Sequence, residues 1–437
     1  MKRAIMDTLI AWESRKRRKP LLVYGARQVG KTHVLKAFGQ EHCESCVYID
    51  LERDGRARAV FEADPHADLN PQSLLRRLSA VTGETINPDS TLLVLDEIQA
   101  SNRALASLKY FAEDMPQLRI IGAGSLLGVA VRRKGFTMPV GKVQTLTMHP
   151  MTFPEFLDAL GEGGYVDDIR ECFATGAACY AHEHLMERLW SYMLVGGMPE
   201  AVEVFAEDGD YDAVAEVQQD IRDLYAGDMA KYATPAETAK IRDVWESVPA
   251  QLAKENHKFQ YKAVRSGGRA SVYGDAIAWL LSAGLISRCV NVNSGRMPLK
   301  QHEDLASFKV YMADTGLLAQ ADGLNAQVMF DAALRRNLDL GGLGENLVAQ
   351  MLSANGVPLR YWTSSSTAEV DFVVERAGMV AGVPVEVKTS EHVRSRSLAS
   401  YRGKYEPTEA IRISAKNFGI DNGIRSIPLY AAFCIQP

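Results

Sequence analysis

An α/β fold, with a parallel sheet wrapped by helices, is predicted for this chain by three stretches. The apolar run Leu21-Leu-Val-Tyr24 leads into Gly25-Ala-Arg-Gln-Val-Gly-Lys31-Thr32 and then into Val34-Leu35-Lys36-Ala37-Phe38, which reads as strand, loop and helix. Thr91-Leu-Leu-Val-Leu-Asp96-Glu97 is an unbroken apolar run that ends in two carboxylates. Leu118-Arg-Ile-Ile-Gly-Ala-Gly-Ser125 is a further buried strand that ends in small polar residues. Uninterrupted apolar strands suit a sheet covered on both faces. Strands that alternate with helical stretches make parallel sheets.

The first stretch fits G-x-x-x-x-G-K-[ST] in its strand–loop–helix setting, the fingerprint of a P-loop NTPase. Glycines let backbone N–H groups curl round a phosphate, and the helix that follows turns its positive end to the anion. Lys31 can reach the β- and γ-phosphates, and Thr32 can place its hydroxyl on Mg²⁺. Gly25, Ala26, Arg27, Gln28, Val29, Gly30, Lys31, Thr32 and His33 are therefore the expected ATP-binding residues. Asp96 is expected to hold the Mg²⁺ shell and Glu97 to polarise the attacking water. The plainer readings are a Gly-rich turn and a strand closed by a polar turn. The flanking strand and helix argue against the first of these.

With 437 residues, 47% hydrophobic and 24% charged, the chain has globular composition and the length of about three domains. Its net charge of −5 gives no whole-chain basicity for nucleic acid, though a local patch stays open. The six cysteines are too sparse for a disulfide scaffold. Cys43-Glu-Ser-Cys46 has C-x-x-C spacing but no second pair answers it, so two cysteines beside a strand are favoured over a metal or redox site. Met1-Lys-Arg-Ala-Ile-Met-Asp7 lacks the apolar stretch of a signal peptide. No apolar run approaches the roughly 20 residues that span a bilayer. A cytoplasmic location without a membrane partner is expected.

In chain order, residues 4–13 carry Ile5, Leu9, Ile10 and Trp12 at helical spacing. The basic run Arg15-Lys-Arg-Arg-Lys19 follows, read as a solvated link rather than a nucleic-acid patch. Cys46-Val-Tyr-Ile-Asp50-Leu51 reads as a second strand. Residues 56–81 are mostly helical, broken at Pro65 and Pro71, with Leu69, Leu74, Leu75, Leu78 and Val81 as a buried stripe. Residues 103–115 form a helix. Arg132, Arg133 and Lys134 are either exposed charges or groups for a neighbouring subunit's nucleotide.

The middle of the chain is helical from His149, and Gly196-Gly197 with Pro199 stops one helix. His182 and His184 are wrongly spaced for a metal pair on one helix face. Long helices are expected over 214–232 and 237–254, another over 272–286, and short strands over 287–292 and 308–313. Helices closed by a β-wing outline a winged helix, a module for DNA or protein contact. Lys258, Lys262, Arg265 and Arg269 are its candidate phosphate contacts.

The last stretch holds a second constellation. Gly341-Gly-Leu-Gly-Glu345 opens a helix, and 360–363, 369–374 and 383–388 read as strands. In Glu386-Val-Lys388 the strand alternation puts both charges on one face, within reach of Asp371 on the preceding strand. Asp371 and Glu386, with Glu345 added from the helix, would hold Mg²⁺, and Lys388 would orient water. The alternatives are a fold of this kind that has lost its activity, and charges on strand edges that pair with one another.

These residues resemble those of prokaryotic AAA-type ATPases that end in an uncharacterised domain related to PD-(D/E)xK nucleases. The likeness runs over nearly the whole chain, through the P-loop, Leu95-Asp-Glu-Ile-Gln99, Val195-Gly-Gly-Met-Pro199, Ala313-Asp-Thr-Gly-Leu-Leu318, Gly344-Glu-Asn346, Glu369-Val-Asp-Phe372 and Val385-Glu-Val-Lys388. It implies an AAA-like P-loop ATPase domain at 1–150, a helical lid or linker at 151–235, a winged-helix-like domain at 236–330 and a restriction-endonuclease-like α/β domain at 331–437. In AAA-type ATPases a polar residue at the position of Ser125 senses the γ-phosphate, and the alternative for Ser125 is a simple turn. That family often carries an arginine near 141–143, where this chain has Gly141-Lys142-Val143. The expectation is an ATP-hydrolysing, Mg²⁺-dependent enzyme coupled to a nuclease-like or DNA-contacting end. The alternative is a STAND-like regulatory switch whose silent end domain contacts protein. DNA, a protein partner and a second copy of the chain are the partners in view.

Overall fold

Apolar strands without polar interruption need cover on both faces, and in the computed structural model the first unit supplies it. The structure describes all residues except 63–68, 131–137, 255–256, 336, 365–367 and 391–395. Pro65 and the Arg132–Lys134 cluster lie outside the described residues. The chain forms two units, 2–149 with 282–284, and 150–281 with 285–437 and Met1.

In the first unit, β1 (Leu21–Tyr24), β2 (Ser45–Asp50), β3 (Thr91–Asp96), β4 (Arg119–Ala123) and β5 (Gln144–Thr147) form one sheet in the order β2-β3-β4-β1-β5. Every pairing is parallel, with Leu22 opposite Gly122 and Val94 opposite Ile121. Every residue of β3 is buried. Leu22, Leu93, Leu95 and Ile120 pack with Leu74, Leu78, Leu105, Leu108 and Phe111 in one core, each side chain contributing about 2 kcal/mol. The helix Pro71–Thr82 shows how the sequence sets such a cover. Asn70 accepts from Ser73 N–H, Pro71 takes the first turn, Leu74, Leu75 and Leu78 face inward, and Gly83 ends it in a left-handed conformation. Pro71 thus starts a helix, because its missing N–H is unneeded there.

A parallel sheet puts all its strand C-termini on one edge. The loop after β1, the carboxylates after β3 and Ser125 after β4 therefore share that edge. Since β4 lies between β1 and β3, Ser125 sits between the loop and the carboxylates.

The larger unit opens with the helices Phe153–Ala159, Tyr165–Thr175, His182–Val195, Pro199–Asp208, Tyr211–Tyr232 and Pro235–Leu252. Among the described residues its strands are β6 (Ile286–Val292), β7 (Glu303–Met312), β8 (Arg360–Thr363), β9 (Glu369–Val370), β10 (Phe372–Val374), β11 (Val383–Val387), β12 (Ile411–Ser414), β13 (Gly419–Asp421) and β14 (Ile424–Pro428). One sheet runs β7-β6-β8-β9 and the other β10-β11-β12-β14-β13. The antiparallel β6–β7 hairpin, on the stretch expected to form a wing, continues into β8 through parallel pairing of Val290 with Arg360.

Several motifs of this unit meet in a buried polar network. Gly196 has φ +72°, and a Cβ there would stand 2.2 Å from Asp314 Oδ1. Asp314 accepts from Gly197 N–H at 2.6 Å and from Leu317 N–H at 3.0 Å. Gln350 Oε1 accepts from the N–H and the hydroxyl of Thr315, and Gln350 donates to Tyr192 OH at 2.9 Å. Asn346 accepts from Met312 N–H at 2.7 Å. Buried donors and acceptors must be matched, and these residues match one another.

Candidate functional site

The loop Gly25–Gly30 is shaped by backbone conformations that most side chains avoid. Gly25 has φ +148°, and a Cβ there would come 2.4 Å from Met148 O. Gln28 is left-handed at φ 65°. Gly30 caps the helix Lys31–His42 with φ 90° and no capping side chain, which leaves first-turn amides for an anion. Ala26 and Val29 are buried, Arg27 is half-buried, and Gln28, Thr32 and His33 are exposed.

Lys31 is folded back on the loop. Its ammonium donates to Gly25 O at 2.9 Å and to Ala26 O at 2.7 Å. Burial is the main influence on it and lowers its pKa to about 8, although Glu97 and Asp96 pull the other way. A charge held by neutral carbonyls is poorly compensated, and an arriving phosphate would compensate it better.

Thr32 Oγ1 donates to Asp96 Oδ2 at 2.8 Å, and Tyr48 OH donates to the same oxygen. Hydroxyl and carboxylate oxygens side by side are the hard donors that Mg²⁺ takes, so these residues fit that ion. Glu97 has φ 47°. Its carboxylate accepts from the Gln99 side-chain amide, and Ser125 Oγ stands 3.4 Å from Glu97 Oε1. Burial raises the Glu97 pKa, with the Gln99 hydrogen bond working against it. The structure thus brings together Lys31, Thr32, Asp96, Glu97 and Ser125.

Three contributors escaped the sequence reading. Arg3 donates to Val29 O and to His149 O, each at 2.7 Å, and so ties the loop to the segment after β5. Tyr48 and Gln99 orient the two carboxylates. Gln99 lies in a motif already noted, and Tyr48 alternates toward the strand end that carries Asp50. Nothing local marks Arg3. Lys142, in the place of the arginine expected near 141–143, pairs with Glu113 at 2.8 Å.

The carboxyl-terminal constellation also converges, around a residue that the sequence reading passed over. Lys309 is fully enclosed. Its ammonium lies 3.1 Å from Glu345 Oε2, 2.6 Å from Glu369 Oε1 and 4.0 Å from Asp371 Oδ1. Tyr311, two residues along β7 and on the same face, donates to Glu345 Oε2 at 2.8 Å. His257 Nδ1 lies 2.9 Å from Glu345 Oε1. Asp371 Oδ2 accepts from Val387 N–H at 2.8 Å, and Lys388 pairs with Glu386 at 3.1 Å. Burial works against the charge of Lys309, yet Glu345, Glu369 and Asp371 carry its pKa well above the ordinary lysine value. Burial likewise opposes the Glu345 charge, yet Lys309 and His257 hold that carboxyl below its usual range. Burial, then Glu345, raise the Asp371 pKa. The signal available in the sequence was a lysine inside the apolar run Phe308-Lys-Val-Tyr-Met312.

His182 lies within hydrogen-bond distance of Tyr430 OH and Ala415 O, and His184 pairs with Glu162. Cys43 and Cys46 are free, and burial pushes the Cys46 thiol up to about 11. Among the described residues no helix is long and apolar enough to cross a membrane.

Comparison with known proteins agrees with the first unit. The family described as an AAA domain matches residues 17–157. Two domains of unknown function match further on, DUF8612 at 186–328 and DUF4143 at 340–432. Among solved structures the chain is similar to a Walker-type ATPase of Pyrococcus abyssi, at 16% identity and TM-score 0.46 over 74% of this chain and 95% of that one. It is also similar to the ORC2 protein of Aeropyrum pernix in ADPNP–ADP complexes, at 14% identity and TM-score 0.36 over 73% and 90%. The ORC1 protein of the same organism, in complex with DNA, gives 14% identity and TM-score 0.28 over 76% and 92%. No curated protein matches. The match to the AAA domain thus falls on most of the first unit. The matches to its carboxyl-terminal side bring no activity with them.

Proposed function

We propose that this protein binds ATP with Mg²⁺ and hydrolyses it, and that nucleotide state is passed to the carboxyl-terminal unit. The observation that carries this is the placement of Lys31, the Thr32–Asp96 pair and the Glu97–Ser125 pair on one sheet edge. Lys31 leaves the loop carbonyls for the β- and γ-phosphates, while the loop and first-turn amides hold the phosphate oxygens. Thr32 and Asp96 would hold Mg²⁺, which would supply positive charge against the phosphates. Glu97, kept in place by Gln99, orients the attacking water, and Ser125 reads the γ-phosphate. The four-part division at 150, 235 and 330 is proposed as one of sequence segments, since β6 pairs with β8 across residue 330 within the larger unit.

Phosphate release and calorimetry with ATP test the proposal. Wild type should bind and hydrolyse ATP, Glu97→Gln should bind without turnover, and Lys31→Ala should bind ATP far more weakly. Equal phosphate release by wild type and Glu97→Gln would reduce the protein to a nucleotide binder.

Two readings of the coupled end remain distinct. A DNA-contacting, nuclease-like end is supported by exposed Lys258, Lys262, Arg265 and Arg269, and by the Asp371, Glu386 and Lys388 grouping. A STAND-like switch with a silent end that meets protein is favoured by the enclosed Lys309. Plasmid DNA incubated with Mg²⁺ or Mn²⁺ and ATP separates them, since nicking lost in Lys388→Ala belongs to the first reading alone.

A further inference from the structure

We infer that Lys309 is the cation of the carboxyl-terminal acidic cluster, and that the unit holds no divalent metal at Glu345, Asp371 and Glu386. This inference does not depend on ATP hydrolysis.

The geometry carries it. A Mg²⁺ ion asks for near-octahedral oxygen ligands at about 2.1 Å, with several of them water. Here the Glu345 oxygens are engaged by His257 on one side and by Lys309 and Tyr311 on the other. A carboxylate offers about four lone-pair directions, so little of Glu345 is left for a metal. One Asp371 oxygen takes the Val387 amide, and Glu386 is paired with Lys388. Among the described residues no group of three or more His, Cys, Asp or Glu side chains is placed to hold a metal ion.

The strands explain why a lysine can do this. β7 alternates, so Lys309 and Tyr311 both face the helix Gly341–Ala354, which supplies Glu345. The ring of Tyr361 lies 5.2 Å from the ammonium and adds a cation–π contact to the enclosure. Lys309 thus links residues of β7, that helix, β9 and the Asp371 that follows it. Its charge is matched on the spot, whereas a metal would need these partners to let go. In this reading the end domain keeps the acidic residues of a metal site and uses them as an ion-pair lock.

The test starts with wild type, full length and free of nucleotide, titrated with Mn²⁺ and followed by electron paramagnetic resonance. Two variants assign any uptake, Asp371→Asn for this cluster and Asp96→Asn for the P-loop edge. The expected result is no Mn²⁺ uptake that Asp371→Asn removes. Uptake abolished by Asp371→Asn and kept by Asp96→Asn overturns the inference. The second measurement is thermal unfolding. Lys309→Met should lower the Tm by roughly 10 °C, because it leaves buried carboxylates without their cation. Lys309→Met with Glu345→Gln should recover a good part of that loss. A Lys309→Met protein as stable as wild type overturns the lock. Should Lys309→Met fail to fold, the lock is supported, and the wild-type Mn²⁺ titration still decides the metal.

Discussion

Lys31 and Lys309 are both buried lysines next to acidic residues, and they are held in opposite ways. Lys31 rests on two neutral carbonyls, and burial leaves its pKa lowered to about 8. Lys309 rests on carboxylates, which raise its pKa despite its burial. A buried charge held mainly by dipoles is drawn toward its neutral form, and one held by opposite charges in contact is fixed in its ionised form. The first lysine is ready to exchange its partners for a phosphate. The second has no reason to move. Asp314 repeats the dipole-held case with the sign reversed. It is held by backbone amides, and burial, which those amides counter, raises its pKa from 3.8 to about 6.

The contrast can be broken most sharply at Glu97. Replacing it with Gln should cut kcat by about a thousandfold, as loss of a general base does, with ATP affinity nearly unchanged in calorimetry. Loss of affinity instead would mean that Glu97 supports the loop and not the water.

Asp314 gives the next effect, seen as stability against pH. Its folded pKa lies above its unfolded one, so between about pH 4 and 6 the folded state binds more protons. Stability from this group is therefore present at low pH and falls as pH rises, by about 3 kcal/mol in all. Urea unfolding of wild type and Asp314→Asn from pH 4 to 7 should show the difference between them shrinking over that range. A constant difference would show that the network already compensates the charge.

Lys31→Ala should weaken ATP binding on the order of a hundredfold while the Tm stays within about 2 °C, since ordinary stability effects of that size are small. Set beside the large loss expected for Lys309→Met, this separates a lysine kept for a ligand from one kept for the fold. A Lys31→Ala protein that melts much earlier would erase the distinction. The smallest effect belongs to Arg3. Arg3→Met should raise KM for ATP about tenfold, through loss of charge-assisted bonds that fix the loop, with kcat little changed. Arg3→Lys should recover part of it. A change in kcat alone would place Arg3 outside loop positioning.

The parts of the first unit that the sequence could show are contiguous. Gly25 to Thr32 folds as a loop on a helix N-terminus, and each of Asp96–Glu97 and Ser125 closes its own apolar strand. Those signals depend on residue spacing, which the sequence states directly. The second constellation was legible only as charges on strands. Glu386 and Lys388 do share a face, but their alternation carries no information about what lies opposite. The helix motif Gly344-Glu-Asn346 was visible, whereas the division of labour within it was not. Glu345 turns to Lys309, and its neighbour Asn346 turns to Met312 and Thr315.

By itself, then, the chain's order of residues determined the phosphate loop, the carboxylates at the ends of strands and the helical stripes, because each arises from interactions within a few residues. Tertiary structure alone decided that β4 enters between β1 and β3 and so carries Ser125 to Glu97. It alone decided that β7 delivers a lysine into the carboxylates of another element. Strand pairing and burial join residues far apart in the chain, and the low dielectric at the point where they meet makes each charge depend on its neighbours.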